Sequence, residues 1–318
     1  MYNTHDPQVL PIRDGVKPSC VVLPNVGDGT CLDFLVQRLP AVSRESWLER
    51  MARGEVVDEL ARPVQPHTPL LKGLRIYYYR EVEAEPHIPF EAEVLYQDAH
   101  IVVADKPHFL PVTPGGKYLQ NTLLVRLKNQ LGLPDLSPVH RIDRDTAGLV
   151  LFAARREDRG AYQALFRERT VHKAYEAIAP WNPAITFPRE HASRMVESNN
   201  FIRMQEVAGT PNSFTQMELL EHNQHWARYR LLPISGKRHQ LRVHMAALGL
   251  GLKGDGLYPV VDDAPEGDFS RPLMLLAQSL AFCDPVTGLQ HQFRSRRTLG
   301  PLPRHEAAHK PVLNYRND

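Results

Sequence analysis

Three short segments hold the residues whose types and spacing could do chemistry. In the first, Pro138 to Leu151, the residues His140, Arg141, Asp143 and Arg144 stand directly before an apolar strand pattern, Leu149 to Ala153. Polar groups at the mouth of a sheet are where reactions are commonly staged. A carboxylate between two arginines can serve as a nucleophile, and it can equally be salt-bridged to a neighbour. The second segment runs from Phe166 to Tyr175. Alternation from Val171 onward predicts a strand with Val171, Lys173 and Tyr175 on one face. A tyrosine on a strand is often a core residue with a satisfied hydroxyl. The third segment is Gly236-Lys237-Arg238-His239-Gln240-Leu241-Arg242-Val243-His244. Leu241, Met245 and Leu248 recur at i, i+4 and i+7, which predicts a helix entered from the Ser235-Gly236 turn and ended by Gly249. Its first turn, rich in N–H donors and basic side chains, suits an anionic neighbour.

The rest of the chain narrows the chemistry. Its 318 residues are enough for about two domains, and 42% are apolar, so a sizeable core is expected. Net charge is only +2, but its distribution is uneven. Between His222 and Gly254 stand Arg228, Arg230, Lys237, Arg238, Arg242 and Lys253 without an acidic residue. The tail adds Arg294, Arg296, Arg297, Arg304 and Lys310 against Glu306. Such clustering fits a polyanionic partner, or a solvated basic loop. Cys20, Cys31 and Cys283 lack the spacing of a disulfide framework or a zinc motif. His239 and His244 are five apart, a poor match to one helical face, and no metal is expected. Met1 to Gly15 has no apolar signal core, and no run approaches the ~18 apolar residues of a membrane span. A cytoplasmic protein is expected.

Taken together, in order and spacing, the three segments resemble the motifs that identify RluA-type RNA pseudouridine synthases. His140-Arg141-Ile142-Asp143-x-x-Thr146-Ala147-Gly148 is similar to the catalytic motif, with Ala147 where Ser is common. Arg169-x-Val171-x-Lys173-x-Tyr175 is similar to the tyrosine motif. Gly236-x-x-His239-Gln240-Leu241-Arg242-Val243-His244 is similar to the arginine motif, and Lys253-Gly254-Asp255-x-x-Tyr258 continues it. Lys106-Pro107-x-x-Leu110-Pro111-Val112-x-Pro114 resembles the Lys-Pro-x-Gly-Leu-Pro-Val-x-Pro stretch that opens the family's catalytic domain, with His108-Phe109 in place of a less bulky pair.

The resemblance implies isomerisation of uridine to pseudouridine in structured RNA, ribosomal or transfer. The N1–C1′ bond breaks, the uracil turns, and the base rejoins the sugar through C5. Substrate and product are isomers, so no cofactor or metal is implied. Asp143 would be the nucleophile, attacking sugar or base or supporting elimination through a glycal. Arg242 would be its ion-pair partner. Tyr175 would stack near the uracil and is a candidate base for the C5 proton. The target must leave its stack, at a cost on the order of a few kcal/mol, and Arg141 is the candidate to fill the gap. His140, Arg144, Lys173, Lys237, Arg238, His239 and Lys106 are the further residues expected at the RNA. A monomer with no obligate protein partner is expected.

These groups need elements to position them. Leu32, Leu35, Val36 and Leu39 predict a helix stopped by Pro40. A second helix is expected after an N-cap at Ser43, with Trp47, Leu48 and Met51 on one face and Gly54 beyond its end. Strand-like segments follow at Glu55–Val57 and Leu74–Tyr79. This arrangement resembles the S4-type RNA-binding module that often precedes the catalytic domain, although the usual Asn-Gly turn after the Val strand is absent. Residues 1–85 are read as an S4-like α+β module with an extended leader. Residues 86–318 are read as the catalytic domain with a basic tail, an α+β fold with a mixed, mostly antiparallel sheet and a central cleft.

Three other classes fit these residues less well. A non-catalytic RNA-binding protein that keeps the fold would have no need of Asp143, Tyr175 and Arg242 together. A metal-dependent phosphoesterase needs clustered ligands that the sequence spacing does not offer. A kinase needs a Gly-rich phosphate loop and an Asn five beyond the Asp, where this chain has Gly148.

Overall fold

The computed structural model describes residues 11–24, 29–81, 85–200, 202–262, 265 and 267–304. The chain forms two compact units. One comprises the described residues up to Glu85 together with Gly116–Gln120, and the other comprises Pro86–Gly115 and the described residues from Asn121 onward.

In the first unit, β1 (Ser19–Val22), α1 (Cys31–Arg38), α2 (Arg44–Ala52), β2 (Val56–Asp58) and β3 (Arg75–Tyr78) follow one another. The strands form an antiparallel sheet in the order β1-β3-β2. Thr30 and Asp33 close a capping box on α1, and the Ser43 hydroxyl accepts from Ser46 N at the start of α2. Gly54, at φ 71, takes the left-handed backbone after α2. Leu35, Trp47, Met51, Val56 and Ile76 fill the core. Leu48, expected on the inner face, is instead exposed. Trp47 and Met51 are one turn apart and set that face, and position 48 lies about 100° further round. Arg50 takes the inner place, with its guanidinium against the Trp47 ring and Glu81.

The second unit is built on an 11-stranded sheet. Its elements are β4 (Glu93–Gln97), β5 (Ile101–Lys106), α3 (Leu123–Leu131), β6 (Ser137–Pro138), β7 (Ala147–Ala153), α4 (Arg159–Arg167), β8 (His172–Pro180), β9 (Arg189–Glu197), β10 (Met204–Val207), β11 (Ser213–His222), β12 (Trp226–Pro233), α5 (Gln240–Ala247), β13 (Leu275–Cys283) and β14 (Gln290–Arg294). The order is β10-β9-β11-β12-β8-β13-β7-β5-β4, with β14 on β13 and β6 on β7. Pairing is antiparallel apart from β13 with β7. Every residue of β5 and of β7 is buried, in keeping with the apolar run of β7 and the apolar Ile101–Ala104 of β5. Few helices on a mixed, mostly antiparallel sheet make this an α+β fold, as the sequence implied.

β13 lies between β8 and β7 in that order. It joins a half that ends in β8 to a half that begins with β7. At the junction Ala277 lies opposite Gly148, and a Cβ on Gly148 would stand 2.2 Å from the Ala277 carbonyl oxygen. Gly148 also has φ 108, a backbone that side-chain-bearing residues rarely adopt. The glycine of the first motif therefore closes the sheet. No helix among the described residues is long and apolar enough to cross a membrane.

Candidate active site

Asp143 sits on the loop between β6 and β7, and three bonds fix that loop. Thr146 N donates to Asp143 O at 3.2 Å. Lys106 Nζ, at the end of β5, donates to Arg144 O at 2.9 Å. His108 Nδ1 lies 2.7 Å from Asp145 O, so that nitrogen must bear the hydrogen. Phe109, in a left-handed backbone at φ 67, stands where the family stretch has Gly. That conformation costs about 1–2 kcal/mol in a side-chain-bearing residue, and the neighbouring His108 bond helps to hold it.

Arg242 reaches the loop from α5. Its Nη1 lies 3.3 Å from Asp143 Oδ2, while Nε and Nη2 grip Asp255 at 2.9 and 2.6 Å. The Arg242 and Asp255 side chains are 2% and 0% exposed, and Asp143 is 24% exposed. Burial works against the guanidinium's charge, but the Asp255 bonds and then Asp143 outweigh it and hold its pKa above the ordinary value. Arg242 is thus a permanent cation with one N–H for the reachable carboxylate. Asp255 accepts further bonds from Leu257 N and Tyr258 N at 2.8 and 3.1 Å. Gly254 permits this turn, because a Cβ there would stand 2.1 Å from Pro272 O. The third motif's continuation was visible in the sequence, yet Asp255 was not singled out as a site residue.

His239 precedes α5 in the left-handed region, at φ 56. Its Nδ1 lies 3.0 Å from Tyr258 Oη, which already accepts from Met204 N at 2.7 Å. The phenol hydrogen is thereby free for Nδ1, and Nε2 faces Asp143 Oδ1 at 3.8 Å. Burial lowers the His239 pKa against the pull of Asp143. The helix starts later than the turn at Ser235-Gly236 suggests. The Gln240 amide closes the intervening loop, accepting from Ser235 Oγ and Lys237 N and donating to Phe214 O and Thr215 Oγ1.

Tyr175 lies on β8, opposite Leu231 of β12 and Ala277 of β13. Burial, and then the charge of Asp143, push its hydroxyl above the usual tyrosine range. A phenol so placed is a poor proton acceptor and a good flat surface.

The other expected RNA contacts divide into two sets. Arg141, Lys237 and Arg238 are exposed. Arg144 is exposed as well, and pairs with Asp145 at 2.8 Å. Lys106, by contrast, is fully buried, with its ammonium on the Pro107 and Arg144 carbonyls and its pKa lowered to about 7 by burial. His140 stacks on Phe166 and accepts from Leu151 N, and burial and then Lys173 push its pKa down to about 3. Lys173 donates to Ser235 O at 3.4 Å. Lys106 and His140 hold the loops in place and do not present a charge to solvent, whereas Lys173 is half-buried. The basic run is also partly neutralised across the sheet. Arg228 pairs with Glu176 and Glu221, and Arg230 with Glu218.

The α+β fold thus sets a partly exposed carboxylate, Asp143, against a buried arginine, Arg242. The RNA pseudouridylate synthase family profile matches residues 100–247, which include Asp143, Tyr175 and Arg242. A Synechocystis sp. protein named an uncharacterized RNA pseudouridine synthase is 32% identical over 71% of this chain and 78% of its own length. The Escherichia coli dual-specificity RNA pseudouridine synthase RluA is 32% identical over 64% of this chain and 91% of its own. The solved human RNA pseudouridylate synthase domain containing 4 aligns with a TM-score of 0.50 at 26% identity, over 64% of this chain and 87% of that one. The chain belongs to the RluA-type RNA pseudouridine synthases, enzymes that isomerise uridine in RNA to pseudouridine.

Proposed function

We propose that Asp143 is the nucleophile of this isomerisation and that Arg242, steadied by Asp255, keeps it paired and aimed. The observation that carries this reading is the contrast in exposure along the Asp143–Arg242–Asp255 chain, in which only the first carboxylate is open to a substrate. Asp143 attacks as the N1–C1′ bond breaks. The freed uracil turns against Tyr175, C5 bonds to C1′, and the proton lost from C5 is balanced by one gained at N1. Asp143, released at the end, is a better acceptor for the C5 proton than the Tyr175 phenol. Arg141 fills the space left by the flipped base, and Lys237 and Arg238 meet flanking phosphates.

The substrate is structured RNA, ribosomal or transfer. The dual specificity in the name of the Escherichia coli relative supports keeping both. The first unit acts as an S4-like RNA-binding module, and the enzyme works as a cytoplasmic monomer without a cofactor.

The test is tritium release from RNA labelled at uracil C5, with wild type and Asp143→Asn side by side. Release by wild type alone, with both proteins folded, is the expected result. Release by both would remove Asp143 from the role. No release by folded wild type from either RNA class would favour an RNA-binding protein that has lost catalysis.

A further inference from the structure

A second cluster of chemistry-bearing side chains lies beneath the same helix. His244 stands two residues beyond Arg242, about 200° further round α5, so it faces away from Asp143 and into β9, β10 and β11. There it meets His191 and Ser193 of β9, Glu206 of β10, and Ser213 and Thr215 of β11. His191 Nε2 lies 2.8 Å from Glu206 Oε1, and His244 Nε2 lies 3.9 Å from the same oxygen. The three ligand atoms all fall within 4.8 Å of one another. His244 is fully buried, while His191 and Glu206 are 17% and 24% exposed, which leaves one side of the cluster open.

We propose that His191, Glu206 and His244 form a binding site for a borderline divalent cation, zinc foremost, that ties the β9–β10 edge of the sheet to α5. Two imidazoles and one carboxylate are a donor set that suits zinc, with water in the fourth position. Zinc–ligand bonds of about 2.0–2.2 Å put tetrahedral donors roughly 3.3 Å apart. The observed 2.8 and 3.9 Å separations bracket that value. The third pair, His191 to His244, lies within 4.8 Å, so the donors close on an ion with changes of up to about 1.5 Å in their separations. A supporting shell is present as well. Thr215 Oγ1, which lies 2.9 Å from His244 Nδ1, has a lone pair to spare after Gln240 donates to it. It can take the Nδ1 hydrogen, the tautomer that leaves Nε2 free to ligate. Ser213 Oγ, 3.0 Å from that Nε2, has an alternative acceptor in Ser193 O at 2.8 Å. On binding, His191 moves its hydrogen from Nε2 to Nδ1, and Glu206 exchanges a hydrogen bond for the metal.

The experiment is equilibrium dialysis of the full chain, stripped with chelator, against zinc chloride, with melting temperature followed in parallel. Wild type should retain one zinc per chain and melt at a higher temperature with zinc than without. Loss of a supporting hydrogen bond to a ligand weakens binding by about 10- to 100-fold, the range expected for Thr215→Val, and loss of a ligand in His191→Ala costs more. His225→Ala, at an exposed position outside the cluster, should bind as wild type does. Should His191→Ala not fold, Glu206→Gln is read in its place. Binding of less than one zinc by wild type, or equal binding by wild type and the ligand variant, overturns the site.

Discussion

Asp143 and Asp255 share one guanidinium and are built for opposite tasks. Asp255 is fully buried, bidentate on Arg242 and bonded to two backbone N–H groups. Asp143 makes one contact with Arg242, at 3.3 Å, from a partly open position. Loss of one partner from a buried pair leaves a buried charge uncompensated and costs about 3–5 kcal/mol. Asp255→Asn should therefore destabilise the protein by about that amount, whereas Asp143→Asn should change stability by less than about 1 kcal/mol. Urea denaturation of the two variants checks this, and equal losses would refute the division of labour. The motifs made Asp143, Tyr175 and Arg242 legible because their order and spacing survive in a linear sequence. Burial does not. Lys106 and His140 looked like cations for RNA, but each is engaged by a backbone group of a distant segment, the Arg144 carbonyl and the Leu151 N–H.

At the scale of elements, two glycines at positive φ, Gly132 and Gly148, differ in what a side chain would meet. Gly132 ends α3 at φ 65 with nothing near its missing Cβ, whereas Gly148 faces the backbone of β13. Gly132→Ala should cost only the left-handed strain, about 1–2 kcal/mol. Gly148→Ala should exceed about 4 kcal/mol, because backbone cannot move aside as a flexible side chain can. Thermal melts and soluble yield of the two variants separate these outcomes, and similar losses would mean that the β7–β13 contact relaxes easily. Several helices and strands were readable from periodicity and caps, Ser43 and Gly54 among them. The start of α5 was not, because the left-handed His239 and the bonds of the Gln240 side chain set it rather than any apolar repeat. The place of β13 between β8 and β7 was also hidden, since an apolar run carries no record of its neighbours.

For the whole molecule, a net charge of +2 leaves RNA binding to local charges. Composition pointed to the basic run but could not show that Glu176, Glu218 and Glu221 lie across the sheet from Arg228 and Arg230. Each phosphate contact adds about one to the slope of log affinity against log salt. Lys237→Ala and Arg238→Ala should each lower that slope by about one, and Arg228→Ala should leave it unchanged. Fluorescence anisotropy with labelled transfer RNA across a salt series measures this, and an equal drop for Arg228→Ala would show that it too reaches RNA. The position of β13 has a further consequence, one of timing. Asp143 belongs to one half of the sheet and Tyr175 to the other, and the strand between them is Leu275–Cys283. While a chain is being synthesised, both halves can be complete and still have no common centre. Asp143 and Tyr175 can therefore share one centre only after Leu275–Cys283, made later than either flank, has taken its place between them.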